Sequence, residues 1–163
     1  MNFLSRDEKA YQILCQIVHY ISKDAEVKKT FSNQDCTIFE IFKADPGIMI
    51  GKHGHTLDAI QYLVNLVMHN KKEQPFQKLY IVDIDGYRKR REISLKKYAL
   101  EKAEIVKRKG EPVSLYFMNS IERRLVHISL KEDIQVNTYS EGQEPYRRVI
   151  ISPIHNFKKD QPD

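Results

Sequence analysis

The stretch Gly47-Ile-Met-Ile-Gly51-Lys-His-Gly54-His-Thr56-Leu-Asp-Ala-Ile-Gln-Tyr-Leu63 joins a very short apolar segment to a longer helical one through two glycines that flank two polar residues. Glycine has no Cβ, so the backbone of such a bend can come close to another molecule and turn its amides toward it. Amides at a helix amino terminus carry partial positive charge and Lys52 adds a full one, which makes the bend a phosphate-sized anion site. A plain tight turn between two helices has the same spelling. A nucleotide-hydrolysing phosphate loop does not: three residues, not four, separate Gly47 from Gly51, and His53 stands where magnesium needs Ser or Thr.

Working outward, Ser5-x-x-Glu8 has the form of a capping box, and Ala10, Ile13, Leu14, Ile17, Val18 and Ile21 recur at helical spacing, which predicts a helix over 6–22. Residues 27–32 and 36–43 read as a hairpin around Asn33-Gln34-Asp35, stopped by Asp45-Pro46-Gly47. After the bend, Thr56 is the expected N-cap of a helix whose stripe is Leu57, Ile60, Leu63, Val64, Val67 and Met68, ending near Asn70. A polar loop through Pro75 and a strand over 79–84 complete the first half as αββααβ. Tyr87 to Lys109 is the longest helical candidate, ended by Gly110 and Pro112. A strand over 113–117, a helix over 119–131 opened by Asn119-x-x-Glu122, and a hairpin of 134–139 with 146–151 follow. The expected fold class is α+β, with domains at 1–86 and 87–153, a joint at Gly86, and a flexible tail over 154–163.

The 163 residues carry 27 basic and 22 acidic side chains, and residues 86–110 alone hold 10 of the basic and 3 of the acidic groups. Such a segment is either a well-solvated helix or a surface that faces a polyanion. The longest apolar run, 59–68, is broken by Gln61 and Asn65 and falls far short of the ~20 residues a bilayer demands, so no membrane insertion is expected. No export signal is visible, and the cytoplasm is the expected location. Cys15 and Cys36 form no Cys-x-x-Cys pair and read as buried, unpaired thiols. Cys15 with His19 is too small a set for a metal, and Asp83-x-Asp85-Gly86 lacks the remaining ligands of a calcium loop. With no activated nucleophile, carboxylate pair or metal cluster, the chain reads as non-catalytic and without a cofactor.

Set between αββ and a strand, the run 47–63 resembles the KH domain in its type II arrangement, αββααβ. In that family the turn clamps the backbone of about four single-stranded nucleotides. The resemblance implies that Gly51, Lys52, His53 and Gly54 contact phosphate beside an apolar groove for bases; Ile50 and Leu57 are candidates for that groove or for the core. In Ile121-Glu-Arg-Arg-Leu-Val-His-Ile128, Arg123 and His127 lie within about 40° of each other on a helix, opposite Ile121, Leu125 and Ile128, and are expected to point into water. That spacing suits a solvated face or a ligand-facing pair. The stretch resembles the Arg-x-x-x-His (R-three-H) domain, associated with single-stranded nucleic acids.

Together with Tyr139-Ser-Glu-Gly-Gln-Glu-Pro-Tyr-Arg-Arg-Val-Ile-Ile151, these two signatures in this order make residues 5–153 similar to the bacterial Jag/KhpB family. The resemblance implies a regulator that binds single-stranded RNA, or single-stranded DNA, through the 51–54 turn and the face bearing Arg123 and His127. Arg88, Lys89, Arg90 and Arg91, beside Tyr87, would form a backbone track, with at least two of these five serving the interdomain surface instead. Arg147 and Arg148 would be secondary contacts, one of them paired with Glu141 or Glu144. The alternative is a protein-docking regulator of a partner NTPase. A small single-KH partner and a part in cell elongation or division are also implied. Many members carry a further amino-terminal domain, which this sequence is expected to lack, and often Arg where His53 stands. With nine tyrosines and no tryptophan, the sequence does not say which ring stacks a base.

Overall fold

Ser5 Oγ accepts a hydrogen bond from the Glu8 amide at 3.1 Å, and the first helix starts behind that cap as the capping box predicts. The computed structural model describes residues 5–69 and 78–154. The chain divides into two units, Met1–Arg88 and Lys89–Asp163. The first holds α1 (Arg6–Ile21), β1 (Glu26–Ser32), β2 (Cys36–Phe42), α2 (Pro46–Ile50), a single 3-10 turn (Lys52–Gly54), α3 (His55–Met68) and β3 (Leu79–Ile84). Then come α4 (Tyr87–Lys109), β4 (Val113–Phe117), α5 (Ser120–Ser129), β5 (Val136–Glu141) and β6 (Arg148–Pro153). The architecture is α+β, in the expected αββααβ order for the first unit. No helix among the described residues is long and apolar enough to cross a membrane.

In the first sheet β2 lies between β1, antiparallel to it, and β3, parallel to it. Alternation decides which side chains go in: Thr37, Phe39 and Ile41 from β2 and Tyr80, Val82 and Ile84 from β3 are buried. They meet Ala10, Leu14 and Val18 of α1 and Leu57, Ile60 and Val64 of α3. Each large side chain removed from water contributes about 1.5–3 kcal/mol.

As an edge strand β3 presents backbone groups that no further strand satisfies, and α3 satisfies them with side chains. Asn65 Nδ2 donates to Tyr80 O (2.6 Å) while its Oδ1 accepts from Tyr80 N (2.9 Å), and Gln61 Oε1 accepts from Val82 N (3.1 Å). Arg88 Nε donates to Val82 O (2.9 Å). The two polar residues that interrupt the apolar run thus fasten the helix to the sheet edge.

The second sheet is antiparallel, in the order β4-β6-β5. Leu95, Ala99, Ala103 and Val106 of α4 pack with Leu115, Met118, Val126, Val149 and Ile151, and Tyr98 stacks on Tyr116 at 5.0 Å. β5 and β6 start two residues later than the alternation predicts. Asp133 Oδ1 accepts from Gln135 N (3.1 Å), and this turn keeps Ile134 out in solvent, 86% exposed. Ile154, placed in the tail by the sequence, donates to Gln135 O (2.9 Å). The rest of that tail and the loop expected through Pro75 lie outside the described residues. Asp83 Oδ1 accepts from the Ile84 and Arg88 amides, so the calcium-like fragment serves the start of α4.

Asn65→Leu keeps the branched outline of the side chain but removes both bonds to Tyr80. Urea unfolding should show a loss of about 2–3 kcal/mol, with an unchanged slope on denaturant concentration.

Candidate nucleic-acid interface

Three consecutive features build the 51–54 bend. Asp45 caps α2 by accepting from Gly47 N (2.8 Å), and α2 ends after one turn. Gly51 then adopts φ +68°, where a Cβ would overlap the Thr56 hydroxyl; Gly54 adopts φ +86°, where a Cβ would sit 2.9 Å from the Tyr87 ring. Between them His53 also takes a left-handed conformation, φ 57°, which in a non-glycine residue stores about 1 kcal/mol or more.

Because α3 starts at His55 with Gly54 as its N-cap, no side chain caps its first turn. This corrects the expected N-cap, Thr56, whose side chain instead fills the space that Gly51 leaves. Lys52 is exposed and His53 partly so. The carboxylate nearest the start of α3, Asp58, is held by Arg88 Nη1 at 2.9 Å, which offsets a charge that would repel phosphate. Of the two residues left open between groove and core, Leu57 is core and fully buried, and Ile50 is half-buried against the same core.

The basic residues around 88–91 divide by what they touch. Arg88 is committed to Asp58, Gln61 and Val82. Arg91 Nε donates to Glu122 Oε1 at 2.7 Å and its guanidinium lies 5.3 Å from the Tyr116 ring centre. These two therefore hold structure in place, which corrects their reading as backbone contacts. Lys89 and Arg90 are exposed. Arg147 and Arg148 are exposed too, and Arg148 lies 3.7 Å from Glu141, as expected for one of the pair.

Helix α5 overturns the sequence reading of its faces. Ile121 is 76% exposed and Ile128 57%, whereas Glu122 and Arg123 are buried beside Val126. Arg123 Nη1 donates to Met118 O (2.7 Å) and Nη2 to Glu144 Oε1 (2.7 Å), so the guanidinium is turned inward by partners that replace its water. His127 is half-buried, with Nδ1 2.7 Å from Thr138 Oγ1 and Nε2 3.1 Å from Ser140 Oγ. The pair ties α5 to β5 and to the β5–β6 connection rather than pointing into water. Burial, and then the positive charge of Arg123, push the His127 pKa below its ordinary 6.5.

Cys15 and Cys36 are unpaired and half-buried rather than buried. Among the described residues no group of three or more His, Cys, Asp or Glu side chains could hold a metal.

Comparison with known proteins adds two matches in the same order along the chain. The KhpA/KhpB KH-domain model matches residues 8–84 and the R-three-H domain model residues 93–153. A Clostridium symbiosum protein named RNA-binding protein KhpB is 37% identical over 154 residues, covering 94% of this chain and 68% of that one. A Lactiplantibacillus plantarum protein of the same name is 34% identical over 90% of this chain, and one from Bacillus subtilis 33% over 64%. The chain spans 46% and 50% of those two relatives.

A histidine that folding keeps neutral gives up stability in acid. His127 contributes fully above about pH 6.5 and its contribution drains away as the pH falls through the lower folded value. Unfolding followed from about pH 7 to about pH 5 should show that loss, and His127→Gln should flatten this part of the profile. Asp133, held below its ordinary 3.8 chiefly by the Lys107 hydrogen bond, acts only in a more acid window.

Proposed function

The chain belongs to the KhpB family, and from that premise we propose that it is a non-catalytic regulator that holds single-stranded RNA at the Gly51–Gly54 bend. The observation that carries this reading is the bend itself: two positive-φ glycines, an exposed Lys52, and a helix start with no side-chain cap. A sugar-phosphate strand needs donors without competing side chains; the uncapped first turn of α3 beside exposed Lys52 offers them, while the glycines let the chain turn tightly against Thr56 and Tyr87. Single-stranded DNA offers the same phosphates, and the 2′-hydroxyl distinguishes the two. Arg123 and His127 are read as the frame of the second unit, not as its contact surface.

The alternative of a protein-docking regulator has one observation in its favour. On α3, Tyr62 (65%), Leu63, Leu66 and Val67 form an exposed apolar stripe on the side away from the core. A small single-KH protein or an NTPase would meet that stripe without using the bend.

Lys52→Asp combined with His53→Asp reverses charge at the bend without touching the stripe. Retention of single-stranded RNA on an oligonucleotide column should weaken sharply while any protein partner is kept; retention equal to that of the unaltered chain would remove the bend from the reading. With about four to six phosphates neutralised, log K against log[salt] should have a slope of about −3 to −4. A flat dependence would contradict phosphate binding.

A further inference from the structure

In β5, Thr138 and Ser140 turn toward α5, where they meet His127, so Tyr139 and Glu141 turn to the opposite face of the sheet. Residues paired across antiparallel strands share a face, which puts Ile150 beside Tyr139, and Arg148 beside both Glu141 and Phe117. Tyr139 is 45% exposed, whereas its cross-strand partner Ile150 is buried. Tyr146, in the connection from β5 to β6, is 70% exposed, and its ring meets Phe117 edge to face at 5.7 Å. Arg147 follows, exposed and with no ion pair among the described residues.

The connection that carries Tyr146 and Arg147 is fixed at three points. Tyr146 N donates to Gln143 O (2.8 Å), Met118 N donates to Arg147 O (3.2 Å), and Arg123 bridges Met118 O to Glu144. A held ring with a guanidinium on the next residue matches what a base and its flanking phosphate require. A protein partner would call for an apolar centre, and here the apolar strand residue, Ile150, is already buried.

We propose that this face of the second sheet is an RNA contact in its own right: Tyr146 and Tyr139 stack bases, Arg147 and Arg148 take the adjoining phosphates, and buried Arg123 positions the connection. It rests on the RNA-binding reading above. When phosphate arrives, Arg148 exchanges its 3.7 Å contact with Glu141 for the new anion.

Anisotropy of a fluorescein-labelled, unstructured single-stranded RNA, titrated with the full chain, tests it. Tyr139→Ala with Tyr146→Ala should weaken binding about tenfold or more, and Tyr139→Phe with Tyr146→Phe, which keeps both rings, should stay within about twofold. An alanine pair that binds like the unaltered chain overturns the proposal and leaves the bend reading standing. An unaltered chain that binds no RNA overturns both. If the alanine pair fails to fold, ultraviolet crosslinking of the unaltered chain to 4-thiouridine RNA decides: adducts on Tyr139 or Tyr146 support the contact, and adducts confined to the first unit overturn it. Arg123→Gln should weaken binding in the unaltered background and add nothing to Tyr146→Ala, because it acts through that ring; additive losses would remove Arg123 from the proposal.

Discussion

The first unit depends on a bend with two positions that no side chain could occupy. At Gly51 and Gly54 both the backbone angles and the neighbouring atoms exclude a Cβ, so the chain passes from α2 to α3 in one tight step. That step sets where α3 begins, and Asn65 and Gln61 set where it lies, by satisfying the open edge of β3 with amide groups. Apolar packing alone would let a helix slide by a turn with little penalty; hydrogen bonds to Tyr80 and Val82 permit one register. The surface beside Lys52 thus follows from constraints inside the unit, and its shape exists before any ligand arrives.

The second unit reaches a rigid surface by a different route. It buries charge. Arg91 meets Glu122, and Arg123 meets Glu144 and the carbonyl of Met118, within a unit whose apolar core is supplied by α4, α5 and the sheet. A largely buried pair such as Arg91–Glu122 adds little net stability compared with apolar substitutes, but it fixes one geometry, because a buried charge left without its partner costs several kcal/mol. Arg123 and His127 on α5 are held by partners inside the unit, while Arg147 and Arg148, on and beside β6, are exposed.

Much of this was legible in the sequence, and what was not has a common cause. The order of elements, the bounds of β3, α4 and β4, and the caps at Ser5 and Asn119 follow from local periodicity and local hydrogen bonding, which neighbouring residues report. The faces of α5 do not. By apolarity alone Ile121 and Ile128 belong inside, yet Glu122 and Arg123 take that place through partners 31 and 21 residues away. Arg88 was legible as a cation and illegible as a clamp for the same reason, since Asp58 lies 30 residues earlier. At the bend, the two glycines and Lys52 could be read directly because the chemistry there is local; Leu57 could not be divided between groove and core until the sheet beneath it was in place.

Backbone amide chemical shifts, followed in ¹⁵N-labelled full-length chain as a short unstructured RNA is added, test the central claim most directly. If a strand lies against the glycine bend, the amides of Gly51 to Gly54 and the first turn of α3 shift or broaden in proportion to occupancy. If those amides stay in place while the RNA binds elsewhere, the bend is only a turn between two helices and the account fails.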